Sequence, residues 1–147
     1  MKTMALRFGE HFAPDCGTIE AHQQLIDKRG YVWYGKMGNP VATNIVEKLK
    51  KQGDMRILLI SSGKTDRYWA HVLEISKEVP PADSIPEYYR NLAEKFKTWF
   101  KVTEFERAPR DIMSKCFVVS SGNVLSEVSK HSMSPYFIIE YREHEEN

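Results

Sequence analysis

The stretch Arg56–Lys77, RILLISSGKTDRYWAHVLEISK, sets the strongest limit on what this chain can become. Arg56–Ile60 is a short run of Ile and Leu, and Tyr68–Ile75 mixes aromatic, branched and polar residues. Between them SSGKTDR is polar, turn-forming and bears one glycine. Two β-prone runs around such a connection read as a hairpin. The connection is longer than a tight turn, so it projects from the sheet. Loops held out by a rigid scaffold are where binding residues concentrate. A binding module on a small curved sheet is the expectation.

The rest of the chain supplies the other elements. Met4–Phe8 reads as a strand, and Thr18 opens a helix that carries Ile19, His22, Leu25 and Ile26 and stops at Gly30. Tyr31–Lys36 is an aromatic strand. Asn39-Pro40 opens a second helix with Val41, Ile45, Val46 and Leu49 on one side and Gly53 as its stop. Ser84-x-x-Glu87 is a capping box, and Ile85, Tyr88, Leu92, Phe96 and Trp99 recur at helical spacing, which predicts another helix there. Strands follow at Trp99–Phe105, Met113–Ser120 and Pro135–Tyr141, with one short helix before the last. Six or seven mostly antiparallel strands with about three helices give an α+β class, able to curve into a small barrel with helices outside.

Size and charge narrow the function classes. The 147 residues make one domain that buries roughly 70% of its unfolded surface. A net charge of +1 announces no global basic field, so any nucleic-acid contact must be local. Cys16 and Cys116 stand alone, as reduced thiols of a cytoplasmic protein do, and no Cys/His spacing marks a zinc site. No run of 18 apolar residues and no apolar leader core occurs, so neither membrane span nor signal peptide is expected.

With the elements in order, YVWYGKMGNP, GDMRILLISSGKTDRYWAHVLEISKEVP, KTWFKVTEFERAP and HSMSPYFIIEY together resemble the PUA-like superfamily, in particular its EVE and YTH-like branches. The resemblance runs from Tyr31 to the end and leaves residues 1–30 as an N-terminal addition to the core. It implies a small curved PUA-like β-barrel that binds DNA or RNA carrying a modified, methylated base; the motifs themselves lead us to expect no cofactor or metal. By the same resemblance Trp33, Lys36, Ser61, Ser62 and Gly63 line the base pocket. Ser61-Ser62-Gly63 stand where EVE relatives have His-Ser-Asn.

The residues themselves leave alternatives open. Trp33, Trp69 and Trp99 are each a stacking platform or core, with Trp69 placed at the pocket rim. Lys64 and Arg67 are phosphate contacts or solvated charges. Cys16 with Asp15 and His22 holds the elements of a thiol nucleophile and base, which keeps a small cytosolic hydrolase as an alternative, and a peptide-binding interaction domain is another. His11 and His22 with Asp15 or Glu20 fit no known metal spacing.

Overall fold

The computed structural model describes residues 1–61 and 66–142. In chain order they form β1 (Lys2–Arg7), α1 (Thr18–Arg29), β2 (Val32–Met37), α2 (Thr43–Lys50), β3 (Arg56–Ile60), β4 (Tyr68–Ser76), β5 (Phe96–Arg107), β6 (Cys116–Val118), α3 (Leu125–His131) and β7 (Tyr136–Tyr141). Short 3-10 turns occur at Ala82–Ser84, Glu87–Tyr89, Ala93–Lys95 and Ile112–Ser114. The class is α+β, with seven mixed strands and three α-helices among the described residues, as the sequence predicts. Among the described residues β2 has β5 as its one strand neighbour and β6 has β7, so their ladders are not closed into a barrel. No helix among the described residues is long and apolar enough to cross a membrane.

The chain divides into two compact units. The first comprises Met1–Phe8, Arg56–Trp69 and Glu106–Asn147. In it β1 lies between β3, which it pairs in parallel with Ala5 opposite Leu58, and β7, which it pairs antiparallel with Met4 opposite Ile138. A central strand has side chains covered on both faces, and Met4, Ala5 and Leu6 are buried accordingly. Leu58, Ile60, Cys116, Leu125, Phe137 and Ile139 are among the residues that build this unit's core. At the end of β1 the Arg7 guanidinium donates to the carbonyls of Ser129 (2.9 Å), Ser132 (2.8 Å) and Ser134 (2.9 Å), which satisfies acceptors at the C-terminal end of α3.

The second unit comprises Gly9–Met55 and Ala70–Phe105. Its strands run in the order β2-β5-β4. α1 begins where the Thr18 amide donates to the Glu10 carboxylate (3.0 Å) and ends at Gly30, whose left-handed backbone (φ 91°) is the expected stop. α2 starts at Thr43, later than Asn39-Pro40 suggests. The Val41 amide donates instead to Thr98 Oγ1 (2.9 Å), which ties this segment to β5.

The helix expected from Ser84 does not form. Ile85 precedes Pro86 and is held extended (φ −127°, ψ 154°), as residues before proline are. The Ser84 hydroxyl donates to the Pro81 carbonyl (2.6 Å) rather than capping a helix. Three 3-10 turns take the place of the helix, and β5 begins at Phe96. The apolar residues still go inside: Ile85, Tyr89, Ala93, Phe96 and Trp99 form one buried cluster.

One glycine of β2 is fixed by that cluster. Gly35 lies opposite Trp99 in the β2–β5 ladder, and a Cβ there would fall 2.7 Å from Phe96 Cγ. Gly35→Ala should therefore lower stability by about 1–3 kcal/mol, as overpacking does. The urea midpoint reads this directly; an unchanged midpoint would mean that Phe96 yields without cost.

Candidate nucleic-acid interface

β2 carries a half-buried aromatic platform of the second unit. Trp33, opposite Lys101 of β5, is half-buried and packs against the cluster of Ile85, Tyr89, Ala93, Phe96 and Trp99, beside the half-buried Tyr88 and Leu92. The supporting rings are locked to one another. Tyr89 and Phe96 have centroids 4.5 Å apart, Tyr88 and Tyr89 4.9 Å, and Phe96 and Trp99 5.3 Å. Such tilted and edge-on pairs are favourable and restrict each ring. The result is a rigid aromatic bed with two partly open rings, Trp33 and Tyr88.

Against the same bed lies a buried polar group. His22 of α1 is fully covered, its Nδ1 2.7 Å from the Thr18 carbonyl, with Tyr34 and Tyr89 each 4.9 Å away between centroids. Burial pushes its pKa down to about 4, so the imidazole is neutral at pH 7. Burial, reinforced by Tyr88 and Glu10, raises the Tyr34 pKa and keeps its phenol protonated. Tyr88 also titrates high, chiefly from burial, while its hydrogen bond to Thr18 works the other way.

Lys36 differs from its expected role. It is 5% exposed, and its ammonium donates to the carbonyls of Asn39 (2.9 Å) and Met37 (3.3 Å), with burial lowering its pKa. The side chain stitches the turn after β2, where Gly38 takes a positive φ of 86°. An ammonium held by its own loop is poorly placed to serve as a pocket lysine.

A family model of Pua-like domains matches residues 4–143, nearly the whole chain. The chain belongs to the Pua-like family. The matched span takes in β1 and α1, which sequence alone sets apart from the core. No curated protein and no solved structure matches. Pua-like domains generally bind nucleic acids.

In this Pua-like chain the remaining expected residues fall in the first unit. Trp69 is 1% exposed and sits in the core, not on a rim; the Arg56 guanidinium lies 4.7 Å from its ring centroid and Tyr141 5.2 Å. Ser61 follows β3 and is half-buried. Arg67 is half-buried, and its sheltered Nε has no hydrogen-bond partner among the described residues. Ser62, Gly63 and Lys64 lie outside the described residues.

The Cys16–His22 arrangement is not a nucleophile–base pair. The exposed Cys16 thiol approaches the Gly17 carbonyl (3.8 Å), whereas the His22 ring is buried with Nδ1 on Thr18. Another histidine of this unit, His71, has Asp54 and Glu104 each 3.9 Å from a different ring nitrogen. Sequence reasoning missed the grouping of Glu10, Tyr34 and Tyr88 around Thr18 and His22. Nothing in the spacing of Glu10 and Tyr88, so far apart in the chain, signals it.

Proposed function

We propose that this Pua-like domain binds nucleic acid and recognises a modified, methylated base drawn out of its stack. The observation that carries the proposal is Trp33. Of the three tryptophans, Trp69 and Trp99 are buried, and Trp33 alone is part-open on an aromatic bed. A flipped base gains a stacking surface on such a ring, and its edge is read by polar groups. Arg67 and Lys64 are proposed as phosphate contacts, and Ser61, Ser62 and Gly63 as polar groups for a base edge. The EVE and YTH-like resemblance supports the modified base. With a net charge of +1, few phosphates are engaged, so affinity should fall only gently with salt.

The test is a binding screen against short DNA and RNA oligonucleotides with different modified bases. Trp33→Ala should weaken the best ligand by roughly 1–3 kcal/mol, with thermal unfolding as control. Equal, weak binding to every oligonucleotide would remove the modified-base reading. Loss of several kcal/mol of stability with binding per folded molecule unchanged would make Trp33 core.

A further inference from the structure

The geometry points to His22 Nε2 as the acceptor for an N–H group on the edge of the bound base, an inference that rests on the base-binding reading above. The tautomer follows from one contact. A carbonyl oxygen only accepts, so the His22 nitrogen 2.7 Å from the Thr18 carbonyl carries the hydrogen. In the neutral ring Nε2 is then a bare lone pair. That atom is buried and has no hydrogen-bond partner among the described residues, in a side chain that is 0% exposed. Buried acceptors left without a donor are few in folded proteins, and each asks for a reason.

The surroundings fit a planar donor. Four rings cage His22: Tyr34 and Tyr89 at 4.9 Å, Phe105 at 6.2 Å and Tyr88 at 6.3 Å between centroids. Tyr88 and Phe105 are the half-buried members, and a flat ligand enters by displacing one of them. Tyr88 and Tyr89 also belong to the bed beside Trp33, so the stacking ring and the acceptor share a wall. Polar groups close by complete the set. The Glu10 carboxylate, anchored on the Thr18 amide, is another acceptor, and the protonated Tyr34 phenol is a donor. Acceptors paired with a donor match an edge with N–H next to a ring nitrogen or carbonyl, as nucleobases present.

The test follows the His22 Nε2 nitrogen resonance in full-length, isotope-labelled protein. Tryptophan fluorescence is read in the same samples, with Trp33→Phe as the control that isolates the share of Trp33. The probes are single-stranded DNA and RNA oligonucleotides carrying N-methylated adenine or modified cytosine. The expected result is quenching of Trp33 together with a shift of the Nε2 resonance. In addition, His22→Phe, which keeps a ring but removes the acceptor, should bind roughly tenfold more weakly, the loss of one buried hydrogen bond. Quenching without any Nε2 shift would overturn this inference and leave base binding standing. Absence of both signals would overturn the two together. If His22→Phe does not fold, the wild-type resonance alone decides.

Discussion

Trp69→Ala should remove about 3–5 kcal/mol of folding stability, the range for truncating a large buried aromatic. The size follows from what the ring touches. Trp69 lies among the buried core residues of the first unit, with Arg56 on its face and Tyr141 beside it. Alanine would leave a cavity and lose the cation–π contact with the Arg56 guanidinium. Urea unfolding followed by circular dichroism measures the effect. Trp33→Ala in the same assay should lose much less, because its ring is already part-open to solvent. A Trp69 variant that keeps its stability but no longer binds oligonucleotides would return Trp69 to the binding surface.

Acid should destabilise the protein before its carboxylates titrate, and His22 is the cause. The unfolded chain takes up a proton on this ring near pH 6.5, whereas the folded protein refuses it until about pH 4. Between those values the unfolded state holds more protons, so stability rises with pH and falls as pH is lowered. The contribution is complete above pH 6.5 and is lost on descending to about pH 4; over that window it amounts to about 3 kcal/mol. Desolvation is the larger cause, and the hydrogen bond to Thr18 offsets part of it. The measurement is urea stability of wild type and His22→Phe at a series of pH values. Their difference should slope between pH 6.5 and 4 and be flat above. A constant difference across the range would mean that the folded ring protonates as easily as the unfolded one.

How much of this was legible depends on how local each feature is. Arg56–Ile60 and Tyr68–Ser76 form strands where their branched and aromatic runs say they should, and Gly30 ends α1 as read. These need only nearest neighbours. The segment after Ser84 misled because burial and helical spacing coincide: Ile85, Tyr89, Ala93, Phe96 and Trp99 do go inside, but Ile85 before Pro86 cannot be helical. At the site, Trp33 and Trp69 look alike in sequence, each beside a branched or aromatic neighbour. Arg56 and Tyr141 cover one of them, and such partners are set by strand order, which local pattern does not carry. The contacts of Lys36 are hidden for a similar reason. Nothing in YVWYGKMGNP shows that the lysine turns back onto the carbonyls of its own loop.

The position of β1 bears on how the chain is made. Ala5 pairs with Leu58 on one side and with Phe137 on the other, and the Tyr141 amide donates to the Met1 carbonyl (2.7 Å). During synthesis β1 emerges before both of its neighbours. Its Met4–Leu6 surface can be half-covered once β3 appears but stays an open edge until β7 has emerged. Pairings this distant raise the contact order and slow folding, and unpaired apolar edges invite association between nascent chains. A ribosome stalled between β3 and β7 would therefore hold a chain with a sticky first strand, shielded in a cell by whatever factor binds emerging hydrophobic segments.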